Sequence, residues 1–129
     1  MPIVVDSSAL VEVLIQRERA DAVRQVVGDT EMVAPDVINS EILSALRRLE
    51  RIGELPTGRA RKALDDLVSV PLRRFPTLPL LPAVWELRAG ITSYDACYVA
   101  LAQALGCTLV TADLKLSRAP GLGVPLITV

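Results

Sequence analysis

The chain has 129 residues, 51% of them hydrophobic and 3% aromatic, and a formal net charge of −1. This length predicts a single domain over residues 1–129, with a core built from Leu, Val, Ile and Ala rather than aromatic rings. Histidine is absent, which excludes a Ser-His-Asp or Cys-His nucleophile, paired imidazoles and a His-ligated zinc centre. Hydrolytic chemistry here must come from carboxylates, hydroxyls, Lys or Arg, with a metal ion as the expected partner.

In chain order, "PIVV" is a β-branched run suited to a buried parallel strand, and "DSSALVEVLIQ" follows as a helix. Asp and Ser are good N-caps, and Leu10, Val11, Leu14 and Ile15 recur at helical spacing. Arg19 to Val27 repeats the pattern and Gly28-Asp29 ends it; "EMVAP" is a second strand. A long helix is expected from about Asp36 to Ile52, with Val37, Ile38, Ile42, Leu46 and Leu49 as its apolar stripe and Gly53 as its stop.

Another helix is expected from Thr57 to Val70, then a short extended piece, "PLRRFP". A helix opens near Pro79 or Pro82, where proline suits a first turn. The stretch "SYDACYVALAQALGCTLVTAD" reads as a helix from Tyr94 to Leu105 and a strand "CTLVT". A short helical turn from Asp113 and a last strand, "PLITV", complete the chain.

The opening "MPIVVD" lacks a basic segment, so no signal peptide is expected, and Gln103 and Gly106 break the one long apolar run before it could span a membrane. Cys97 and Cys107 read as buried free thiols of a reducing cytoplasm. Short apolar strands alternating with helices predict an α/β fold: a central, mainly parallel sheet with helices on both faces. Ligands of such sheets sit beyond the C-terminal strand ends. Asp6 and Asp113 both fall there.

Each acid has an ordinary structural reading. Asp6 and Asp113 suit helix caps, Asp95 suits a helix start, and Glu41 suits the surface of an amphipathic helix. Together they argue differently. Glu41 shares a helical face with Val37, Ile38, Ala45 and Leu49, so it borders the core. Four acids from four elements are then able to converge on one sheet edge. Two carboxylates about 5 Å apart repel by roughly 3 kcal/mol at an effective dielectric of 20. Protonation or a cation must relieve such a group, and an all-oxygen site selects Mg²⁺ or Mn²⁺. Ser8 and Thr111 place hydroxyls beside Asp6 and Asp113, either to support the carboxylates or as local caps.

These motifs resemble PIN-domain ribonucleases, and within them the VapC toxins of bacterial and archaeal toxin–antitoxin pairs. The resemblance runs over the whole chain through "VVDSSAL", "SEILSAL" and "TSYDACYVALAQALGCTLVTAD". It implies a PIN-like three-layer sandwich and a cytoplasmic endoribonuclease that hydrolyses RNA phosphodiester bonds through a metal-activated water. Asp6, Glu41, Asp95 and Asp113 would be the acidic quartet around Mg²⁺ or Mn²⁺, with Ser8 and Thr111 as supporting hydroxyls. A homodimer and a cognate VapB-like antitoxin are implied as well.

The segment from Arg47 to Arg74 holds eight basic and four acidic residues, and this excess is a candidate RNA approach together with Lys115. With so few aromatics, structured RNA is a better expected substrate than loose single strands. Two other readings compete. An aspartyl-phosphate protein would want a second Asp two residues after the first, where this chain has Ser8, or the paired acids of a receiver domain. A non-enzymatic PIN-like binding module would be signalled by loss of an acidic position, and none is lost.

Overall fold

The computed structural model describes residues 1–129. Five strands form one sheet in the order β3-β2-β1-β4-β5: β1 Ile3–Val5, β2 Met32–Pro35, β3 Leu72–Phe75, β4 Leu109–Thr111 and β5 Leu126–Thr128. Every pairing is parallel, so the sheet is parallel throughout rather than mainly so. The two central strands, β1 and β4, are buried along their whole length. Fully apolar strands lie at the middle of such sheets because both of their faces are covered.

The helices are α1 Ser7–Leu14, α2 Ala20–Val27, α3 Val37–Arg51, α4 Thr57–Ser69, α5 Leu81–Glu86, α6 Ser93–Leu105 and α7 Leu114–Ser117. A 3₁₀ turn at Leu78–Leu80 leads into α5, with prolines in both first turns as expected. The "PLRRFP" piece is a true strand, β3, paired with β2 through Leu72 to Phe75. Helices α1 to α4 pack on one another, while α6 lies across β1, β2 and β4. Right-handed crossovers put these two groups on opposite faces of the sheet. One apolar core joins them, dominated by Leu10, Ile38, Ile42, Leu101 and the central-strand valines.

Helix ends follow local chemistry. Asp6 caps α1 by accepting from the Ala9 N–H at 3.0 Å. Gly106 ends α6 in the left-handed conformation, at φ 63°, which a glycine adopts without a Cβ clash. The cap of α6 is Thr92, whose Oγ1 accepts from the Asp95 N–H at 3.2 Å. Asp95 therefore sits in the first turn, and its carboxylate is not needed as the cap.

The chain reverses direction between β1 and β4. From β1 it moves outward to β2 and β3, then returns across the sheet to β4 on the other side of β1. Connections leaving β1 and β4 diverge to opposite faces and open a crevice beyond those two strand ends. Asp6 directly follows β1 there, and Thr111 ends β4.

Candidate active site

Asp6 follows β1 directly and is 3% exposed. A carboxylate so buried needs partners for both oxygens, since each unsatisfied group carries a desolvation cost. Ser8 Oγ donates to Oδ1 at 2.6 Å, beside the Ala9 N–H, and Thr111 Oγ1 donates to Oδ2. Backbone groups turn both hydroxyls toward Asp6. The Ala112 N–H donates to Ser8 Oγ and the Asp113 N–H to Thr111 Oγ1, each at 2.9 Å, filling the acceptor side of each hydroxyl. Each hydroxyl proton is thereby left for the carboxylate.

Asp113 follows β4 and caps α7, with its Oδ1 accepting from the Lys115 N–H at 2.8 Å. The loop carrying it is anchored from across the molecule, where Arg19 Nη1 donates to the Ala112 carbonyl at 2.9 Å. Glu41 lies one turn into α3, half-buried, and Oε1 accepts from the Tyr98 hydroxyl at 2.5 Å. Tyr98 is almost fully buried on α6, three residues beyond Asp95 and so on the same helical side. A tyrosine inside the small, apolar run Ala96–Ala102 is the sequence signal for it, because a buried phenol needs a partner.

Electrostatics bind the acids into one group. Burial is the main cause that lifts the Asp6 carboxyl above its ordinary 3.8, against its three hydrogen bonds, with the Asp95 charge adding to the rise. Burial likewise lifts Glu41 above 4.5, helped by Asp95 and Asp6 and opposed by the Tyr98 hydroxyl. Asp95 is raised above 3.8 by burial and then by Asp113, with Thr92 opposing. Burial and the Glu41 carboxylate push the Tyr98 phenol well above its usual value, so it remains a donor. None of the four acids is ion-paired by a cation of the chain.

The donor set is carboxylate and hydroxyl oxygen, with no imidazole anywhere in the chain and no thiol among the donors. Such hard, mutually repelling ligands fit a small divalent cation of the Mg²⁺ or Mn²⁺ kind. With the side chains as placed, no three acids stand close enough to share one ion.

Two clefts flank the acids. One, of about 410 Å³, is lined by Asp95, Thr92, Arg88 and Lys115. The other, of about 340 Å³, is lined by Glu41, Ser7, Ser40, Ser44 and Tyr94. No basic residue between Arg47 and Arg74 lines either one. Helix α3 starts at the strand ends and runs away from them, so Arg51 lies roughly 15 Å along its axis from Glu41. Arg61 and Lys62 are ion-paired along α4, and Arg74 is tied to Asn39 and to the Leu67 carbonyl. The expected basic approach through this segment is thus displaced from the acids. Arg88, which no sequence motif marks, lines the Asp95 cleft instead.

The PIN domain family model matches residues 3–122. Ribonuclease VapC9 of Mycobacterium tuberculosis is 40% identical over 127 residues, covering 98% of each chain. Ribonuclease VapC3 of the same organism is 40% identical over 118 residues, 91% of this chain and 86% of that one. Among solved structures, VapBC2 from Rickettsia felis, bound to a promoter DNA fragment, superposes with a TM-score of 0.72. It covers 99% of this chain and 98% of its own at 16% identity, a likeness of fold. With a family match over residues 3–122, relatives 40% identical over 127 and 118 residues and a shared fold, the chain belongs to the PIN-domain family and, within it, to the VapC ribonucleases.

Proposed function

We propose that this chain is the toxin of a toxin–antitoxin pair, an Mg²⁺- or Mn²⁺-dependent endoribonuclease working through Asp6, Glu41, Asp95 and Asp113. The observation that carries the reading is the buried Asp6 at the β1–β4 crevice, with both oxygens held by Ser8 and Thr111 and the other acids repelling around it. A soluble protein keeps an unneutralised acidic cluster at a ligand-binding edge when a cation or substrate offsets the repulsion.

A divalent ion bound by these carboxylates supplies charge neutralisation at a phosphodiester and lowers the pKa of water it binds. Asp6 and Asp95 are the principal ligands in this reading, and Asp113 completes the set. Ser8 and Thr111 keep the Asp6 carboxylate in one orientation, so little reorganisation is needed when substrate binds. Tyr98 occupies Oε1 of Glu41 and leaves Oε2 as the oxygen available to accept a proton from an attacking water.

The cellular setting follows the same reading: a cytoplasmic protein, a homodimer, a VapB-like antitoxin partner and a structured RNA substrate. No helix is long and apolar enough to cross a membrane. An open groove of about 310 Å³ between α3 and α4, lined by Leu43, Leu46, Ala60 and Leu64 beside Arg47 and Arg61, offers an apolar seat for a partner helix.

The test is cleavage of an RNA hairpin blocked at both ends, by wild type and Asp6→Asn, in Mg²⁺, Mn²⁺ or chelator. Internal cuts that need the ion and vanish in the variant support the proposal. Cutting that ignores chelator, or survives Asp6→Asn, sinks the mechanism.

A further inference from the structure

The two clefts beside the acids differ in chemistry, and the difference assigns them different parts of a substrate. In the first, Arg88 and Lys115 bring two positive charges beside Asp95, and neither is ion-paired. Arg88 is also held in place. Its guanidinium stacks on the Trp85 ring at 4.4 Å, and Nη1 donates to the Trp85 carbonyl at 2.9 Å. A guanidinium carries five N–H donors, so this anchoring leaves most of the fork free for an anionic oxygen.

The second cleft contains no cation. It offers the hydroxyls of Ser7, Ser40 and Ser44 beside Glu41, and the Tyr94 side chain, which is 58% exposed. Tyr94 and Asp95 are consecutive in the first turn of α6, yet they line different clefts. The start of α6 is therefore a divide, with a cleft holding two cations on one side and, on the other, one holding an aromatic ring, hydroxyls and the Glu41 carboxylate.

Resting on the ribonuclease reading, we infer that RNA crosses this divide in one orientation. The Arg88–Lys115 cleft holds the backbone phosphate flanking the scissile bond on one side. The Ser40–Ser44–Tyr94 cleft holds the nucleoside on the other, with its base stacked on Tyr94. With Asp95 in the same cleft, Arg88 and Lys115 leave a net single positive charge that matches the one negative charge of a phosphodiester, and an exposed ring bordered by hydroxyls matches a base and its sugar.

The experiment measures binding of a fluorescein-labelled RNA hairpin that wild type cleaves, in a Glu41→Gln background to stop turnover, over a range of salt. Arg88→Ala and Lys115→Ala are each expected to lower the slope of log affinity against log salt, and the double variant to lower it by about 0.7–0.9 in all, the one phosphate that the two cations share. Tyr94→Ala is expected to weaken binding roughly tenfold without changing the slope, and Tyr94→Phe to restore it. Arg24→Ala, on α2 in an ion pair with Asp21, is the cation control and leaves slope and affinity unchanged. All of these side chains are exposed, and thermal melts of each variant verify folding.

Unchanged slopes in both cationic variants, with wild type still cutting the hairpin, would overturn the inference alone. So would a Tyr94→Ala loss that Phe does not repair. A wild type that neither binds nor cuts RNA would overturn the ribonuclease reading and this inference together.

Discussion

The phenol of Tyr98 donates a 2.5 Å hydrogen bond to Oε1 of Glu41, joining α6 to α3 over the open edge of the sheet. Two helices separated by a long stretch of chain are thereby fixed relative to one another at the acidic cluster. Tyr98 is 1% exposed, so its hydroxyl has no ready water to replace this acceptor.

Tyr98→Phe removes the donor and leaves a half-buried carboxylate oxygen unpartnered. A loss of about 1–3 kcal/mol in unfolding free energy is expected, read from urea midpoints. In a Glu41→Gln background the same change should cost measurably less, because an uncharged amide needs the phenol less. Strict additivity of the two substitutions would mean that the bond does not couple the helices.

Asp95→Asn relieves repulsion from Asp113 and Glu41 while leaving the Thr92 cap intact. In chelator, the variant is expected to melt above wild type. Mn²⁺ should raise the wild-type melting temperature and barely move the variant, since binding to the native state alone is stabilising. Two identical curves indifferent to the ion would remove the metal from the mechanism.

The pH dependence has a definite sign. Asp6, Glu41 and Asp95 have folded pKa values above their ordinary 3.8, 4.5 and 3.8. Between the ordinary and raised values the folded state binds more protons than the unfolded state, so these groups make stability fall as pH rises through that window. In chelator, wild type should gain stability on acidification into the window, and Asp95→Asn should gain less. A difference profile that is flat, or of opposite slope, would contradict the electrostatic account.

Thr111 is wholly buried, and its hydroxyl both donates to Asp6 and accepts from the Asp113 N–H. Thr111→Val keeps the shape and strands both partners, so a loss of about 1–3 kcal/mol is expected by chemical denaturation. Ser8→Ala should cost less, because Ser8 is only partly buried and water is able to replace its hydroxyl. A Val variant as stable as wild type would show that the Asp6 carboxylate does not depend on this contact.

Much of the architecture was legible in local chemistry. The runs at Ile3–Val5 and Cys107–Thr111 are β-branched and largely apolar, and both strands prove buried throughout, as strands covered on both faces are. Ile38, Ile42, Leu46 and Leu49 keep helical spacing and all prove buried along α3. The acids were legible because Asp6 and Asp113 directly follow such strands. Chain order also announced the parallel sheet, through its alternation of strands and helices.

Long-range geometry decided the rest. The bonds from Tyr98 to Glu41 and from Arg19 to the Ala112 carbonyl join residues remote in sequence, and no local pattern names the partner. Arg88 has no local signature, because one arginine in the turn after α5 shows no periodicity, whereas the basic run from Arg47 to Arg74 is marked by composition. Hydrophobic period and capping are local, so residue order alone specifies which segments are strands and helices and which acids end strands. Which charges face the crevice is a property of the packed fold. The direction in which each helix leaves the sheet sets that, and it carries Arg47 and Arg51 away from the acids while it brings Arg88 and Lys115 beside them.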